Sequence, residues 1–180
     1  MIGLPETLTV AGREYPIRAD FRDVINILTA FSDPDLNEYE KACVCLECLY
    51  KSVPDDAEEA LKQAAWFIDG GESIGGESKL RLMDWEQDEK MIIASVNRVA
   101  GCEIRAAEFL HWWTFLGYFY EIGEGRFSMI VGLRAKLAKG KQLTKDEREF
   151  VRDNQEIVKL KTRLSAEEEQ ELERLRKIFN

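Results

Sequence analysis

Apolar residues recur every three or four positions along most of this chain, and strict alternation is confined to its start. Glu6 to Val10 (ETLTV) and Glu14 to Arg18 (EYPIR) are short β-rich runs around Ala11-Gly12-Arg13. That pattern predicts an antiparallel hairpin with glycine in the turn. Pro16 suits an edge strand, where a missing N–H costs little. Two strands alone are marginal, so the ribbon is expected to pack on helices or to pair with another chain's edge.

Helical periodicity begins after Asp20, a capping residue, with Phe21, Val24, Ile25, Leu28 and Phe31 on one stripe. A break at Ser32–Asp35 precedes a second helix over 37–51, carrying Tyr39, Ala42, Cys43, Leu46, Leu49 and Tyr50. Val53-Pro54-Asp55-Asp56 ends it and caps a third that runs to Ile68. Residues 69–78 (DGGESIGGES) read as a loop, expected to be mobile. A fourth helix is expected to start at Asp84 and stop at Gly101. The fifth, 106–122, is aromatic almost all round, which marks a helix central to a core or contacted on both sides. A sixth covers 127–139.

The character of the chain changes at Gly140. Residues 141–180 hold 10 basic and 10 acidic side chains, half of that segment. Two capping boxes, Thr144 with Glu147 and Ser165 with Glu168, predict helices over 145–163 and 166–179. The organisation expected is therefore mainly α. A compact helical domain with an N-terminal β-hairpin occupies 1–140, and a charged helical hairpin, solvated or lying on a partner, occupies 141–180.

Charge narrows the partners. With 34 acidic and 25 basic residues the net charge is −9, and all of that excess lies in residues 1–140. Phosphate backbones repel such a chain, so general nucleic-acid binding is not expected. No apolar run approaches the ~20 residues of a membrane span, and the first residues lack a secretory pattern, so no export is expected. Within this acidic chain, Gly125 to Lys145 contains no acid but carries Arg126, Arg134, Lys136, Lys139, Lys141 and Lys145. Three readings remain open for that run: ordinary surface charge, a patch for acidic protein segments, or a nucleic-acid patch without its usual aromatic interleaving.

Candidate chemistry is sparse. Cys43, Cys45 and Cys48 lie in one helical segment, where Cys43 points some 200° away from Cys45. They read as packed thiols, with a metal site completed by Cys102 as the lesser alternative. The single histidine, His111, beside Trp112, reads as a packed and hydrogen-bonded residue, and it leaves no His pair for a metal. The glycine run lacks the Lys-Ser/Thr of a phosphate loop. Paired carboxylates occupy caps and first turns, where helix dipoles favour them. No catalytic, cofactor-binding or metal-binding residues are assigned, and no cofactor is expected.

One resemblance covers nearly the whole chain. Leu8, Val10, Gly12, Tyr15 and Ile17 of the hairpin are followed by Phe109, Trp112, Trp113 and Phe115 of the aromatic helix. Ile130, Leu133 and Arg134 come next, then Leu143, Glu147, Phe150 and Asn154. In this order they resemble the phage family named for gene product fifteen, found in long-tailed phages and prophages of Gram-positive bacteria. The resemblance implies a non-catalytic tail-assembly chaperone, because the family is encoded between the major tail protein and the tape-measure protein. It implies binding to the tape-measure protein and other tail-assembly proteins, with self-association open, in the cytoplasm of the infected or lysogenic host. A structural tail or connector component retained in the virion is the alternative, and an enzyme with a thiol or metal site is a third. The candidate protein-binding residues are Phe109, Trp112, Trp113, Phe115 and Tyr118 of the aromatic segment, with Arg126, Arg134 and Lys136 of the basic run.

Overall fold

The computed structural model describes residues 3–71 and 80–178, without the side chains of 169, 173 and 175–178. Most of the loop expected over 69–78 lies outside the described residues, as does the expected helix end at 179. The chain is mainly helical with a two-stranded antiparallel sheet, as its periodicity predicts. Strands β1 (Thr7–Val10) and β2 (Arg13–Pro16) precede helices α1 (Phe21–Phe31), α2 (Glu38–Leu49) and α3 (Ala57–Ile68). Then come α4 (Glu89–Ala100), a 3₁₀ turn (Ile104–Ala106), α5 (Trp112–Tyr120) and α6 (Arg126–Ala138). Helices α7 (Lys145–Asp153), α8 (Gln155–Val158) and α9 (Ala166–Ile178) close the chain.

Two compact units form, each from separated stretches of chain. One joins Met1–Leu4, Ala19–Phe21 and Trp66–Lys161; the other joins Pro5–Arg18, Arg22–Ala65 and Thr162–Asn180.

In the hairpin unit, Leu8 and Val10 point inward and Thr7 and Thr9 outward. Val10 pairs with Arg13, so the turn is two residues long, not the three the sequence suggests. Both turn residues, Ala11 (φ 48°) and Gly12 (φ 77°), are left-handed, the geometry that matches strand twist. Arg18 ties this ribbon to the end of α2: its N–H donates to Leu49 O (2.7 Å), and its guanidinium donates to Tyr50 O (2.6 Å) and Glu47 O (2.9 Å). These carbonyls are among the acceptors a helix end leaves without intrahelical partners. Tyr50, buried edge-on to Tyr15, donates its hydroxyl to Ala60 O (2.9 Å). Asn37 and Glu40 form a reciprocal capping box at the start of α2.

The aromatic unit is built on Phe21, Phe67, Trp112, Phe115 and Phe127 with Ile92, Val96, Ile104, Ile130 and Leu133, all buried. Phe21 stacks on Phe115 at 4.9 Å and 7°. Three helix limits depart from expectation. Helix α4 starts at Glu89, not Asp84, because residues 84–88 form a turn around the Asp88 carboxylate. Helix α5 starts at Trp112, not near 106, because the backbone of 110–112 pairs with 19–21: Phe21 N–H donates to Leu110 O (3.0 Å) and Trp112 N–H to Ala19 O (2.8 Å). The single helix expected over 145–163 is broken at Asn154 into α7 and α8 and ends at Val158, and Gln87 holds the residues beyond it, its amide donating to Lys159 O (2.8 Å) and accepting from Lys161 N–H (2.9 Å). Both capping boxes of the tail form.

Candidate interaction surface

The paired tryptophans set this surface. Each indole N–H turns back to a carbonyl in the last turn of α3: Trp112 Nε1 donates to Ile68 O and Trp113 Nε1 to Phe67 O, both at 2.8 Å. Those carbonyls belong to the set a helix terminus leaves open, so the two indoles act as side-chain caps. The shared job separates their fates. Trp112 goes into the core, stacked on Phe115 at 5.5 Å, whereas Trp113 stays half-buried at the surface.

Around Trp113 the aromatic contacts are edge-to-face or offset, the arrangements the ring quadrupoles favour. Trp66 meets it at 5.4 Å and 67°, Phe67 at 6.1 Å and 24°, and His111 at 6.3 Å and 86°. Phe109 stands on the other edge of His111 at 6.4 Å. Phe109 is 56% exposed and Trp66 38%, while Phe67 and His111 are buried beneath them. Gly71 backs the cluster with φ +86°; a Cβ there would fall 2.8 Å from Trp113 Cη2. His111 has a structural task, since its Nδ1 accepts the Trp113 N–H (3.0 Å) and caps α5. The product is a surface platform in which Trp66 and Trp113 meet directly and Phe109 joins them through His111. Such aromatics offer large apolar area with little side-chain entropy to lose, which suits them to anchor apolar side chains of a partner.

The candidate residues divide accordingly. Phe109 and Trp113 come together in the platform, and Tyr118 is half-buried farther along α5. Trp112 and Phe115 are core residues and present nothing at the surface. Arg134, placed by sequence in the basic run, is also internal: its guanidinium pairs with the buried Asp88 at 2.6 and 2.9 Å. Arg126 is exposed at the start of α6, and Lys136 is half-buried and paired with Glu147 at 2.5 Å. Trp66 is the residue that sequence reasoning missed. Its signal was there: a tryptophan off the Leu61, Ala64, Ile68 stripe of its helix has to go elsewhere.

The cysteines do not converge. Cys45 is buried, Cys43 and Cys48 are half-buried, and Cys102 is exposed. Burial, with Cys48 nearby, pushes the Cys45 thiol up to about 11, and Cys48 is raised chiefly by burial. A raised thiol is a poor nucleophile and metal ligand, since the thiolate is the reactive form. Among the described residues no group of three or more His, Cys, Asp or Glu is placed to hold a metal ion, and no helix is long and apolar enough to cross a membrane.

Comparison with known proteins places the chain. Residues 3–160 match the family model described as bacteriophage Gp15 protein. No curated protein and no solved structure matches the chain.

Proposed function

This chain belongs to the bacteriophage Gp15 protein family, and from that premise we propose that it is a non-catalytic tail-assembly chaperone for the tape-measure protein. Tape-measure proteins of long-tailed phages are long and largely helical, and before the tail tube forms around them their apolar helix faces need cover. The observation that carries the reading is the platform of Trp66, Phe109 and Trp113. Trp66 and Trp113 meet edge-to-face, Trp113 is fixed from behind by its indole hydrogen bond, and Phe109 stands exposed against His111 beside them; such aromatics are the kind of residue that supplies binding energy at protein interfaces. The work is binding in the host cytoplasm, and it requires no cofactor.

A chaperone leaves when assembly ends, which sets the first test. Mass spectrometry of purified virions should find the tape-measure protein and not this chain. Its presence at a fixed copy number per particle would instead identify a structural tail component.

A further inference from the structure

Helices α6 and α7 enclose an open cleft of about 440 Å³. Its surface is mainly apolar, with Met129, Gly132, Leu133 and Phe150 along it, and Met129 is 43% exposed. Gly132 sits in the middle of α6, where glycine costs about 1 kcal/mol relative to alanine. Nothing in the fold requires it, because a Cβ built there meets no atom within 4 Å. A helix interior that keeps glycine beside empty space leaves a notch for an incoming side chain.

Charge points to what enters. The turn that joins the two walls of the cleft carries Lys139 and Lys141, with Lys145 at the start of α7, and all three are exposed. On the wall itself, Glu147 is held by Lys136 and by the Thr144 N–H (2.9 Å), which lowers its pKa. Asp146 lies in the first turn of α7, where the helix dipole favours an acid. The cleft therefore closes at a cationic end in a chain of net charge −9.

The same chain supplies a helix of matching character. From Glu167 to Glu173, α9 has five glutamates and no basic residue, and Leu172 among them is 40% exposed. We propose that the α6–α7 cleft is a self-association site that takes α9 of a second copy, with its glutamate-rich start at Lys139, Lys141 and Lys145. This is helix-in-groove recognition, with apolar anchors for affinity and charge for register and orientation. It goes beyond the chaperone reading and does not depend on it, since the occupant is another copy and not the tape-measure protein.

Sedimentation of the full chain over a range of concentrations and ionic strengths tests the assignment. The expected result is a species larger than the monomer that weakens as salt rises. Lys139→Glu with Lys141→Glu should weaken self-association by roughly tenfold or more, as should Glu167→Lys with Glu171→Lys. All four changes in one chain should recover most of the loss, a rescue that misfolding does not produce. Gly132→Leu, which fills the notch, should weaken association while circular dichroism stays unchanged. A chain that is monomeric throughout overturns the proposal. So does an oligomer indifferent to both charge reversals, which would place the contact elsewhere, such as the edge of β1.

Discussion

Arg134 and Asp88 form a bidentate ion pair sealed inside the aromatic unit, with both side chains almost wholly removed from solvent. Every guanidinium N–H has an acceptor. Nε donates to Val158 O (2.8 Å), Nη1 to Leu82 O (3.0 Å) and Asp88 Oδ2, and Nη2 to Ile157 O (2.8 Å) and Asp88 Oδ1. One side chain thus ties α6 to the start of α4 and to α8. Removing one partner leaves a buried charge uncompensated, so Arg134→Met or Asp88→Ala should destabilise by about 3–5 kcal/mol in chemical denaturation. Arg134→Lys should not restore stability, because an ammonium cannot reproduce the fork.

At the hairpin, Ala11 holds a left-handed backbone (φ 48°) that costs a residue with a Cβ about 1–2 kcal/mol. Ala11→Gly and Ala11→Asn relieve it, and Asn-Gly is the favoured pair for such a turn. Each should stabilise by about 0.5–1 kcal/mol, read as a higher denaturation midpoint with an unchanged slope.

Gly71 presents the opposite case. Its φ of +86° disfavours any side chain, and an added Cβ would press on the Trp113 ring and approach the Trp66 ring. Gly71→Ala should destabilise by about 1–3 kcal/mol and alter tryptophan fluorescence, because the Trp113 indole must shift. Gly12→Ala shares the positive φ but meets no atom within 4 Å, so it should cost less and leave fluorescence unchanged.

Alkaline pH should loosen the hairpin unit. Cys45 moves from the ordinary 9.0 to about 11 on folding, and burial raises Cys48 and Tyr50 as well. The folded state holds these protons more tightly than the unfolded chain. Stability is therefore complete below pH ~9 and declines as pH rises through the interval to about 11, by roughly 2 kcal/mol for Cys45. A Cys45→Ala chain should show less of this decline. At pH 8 a thiol reagent should modify Cys102 first and Cys45 last.

Local signals were readable wherever the deciding groups lie close in sequence. The Thr144–Glu147 and Ser165–Glu168 boxes and the Gly101 stop at φ 70° appear where their residues indicate, and so does the hairpin apart from a turn one residue shorter than expected. The misplaced helix starts depend on distant partners. Asp84 opens a turn instead of α4 because the Asp88 carboxylate belongs to Arg134, 46 residues away. Residues 107–111 include the helix formers Ala107, Glu108 and Leu110, yet they stay out of the helix because Leu110 and Trp112 pair with 19–21 and the Asp20 carboxylate accepts the Leu110 N–H. Arg134 read as a candidate protein-binding residue of the basic run for the same reason. Local composition cannot tell a lysine at the rim from an arginine aimed at a buried carboxylate. The platform was half legible: Phe109 and Trp113 stood out in the aromatic segment, whereas Trp66 joined them only through the fold.

The most direct measurement is co-expression of this chain with the tape-measure protein of the same phage, followed by affinity capture. It compares the unaltered chain with Trp66→Ser and Phe109→Ser, changes at exposed rings that leave the indole caps intact. The tape-measure protein should become soluble and co-purify in many-to-one ratio, and capture should drop by at least ~tenfold in the double variant with its helical spectrum preserved. A tape-measure protein that stays insoluble beside the unaltered chain would contradict the chaperone reading. Equal capture by the double variant would contradict the aromatic platform as its binding surface.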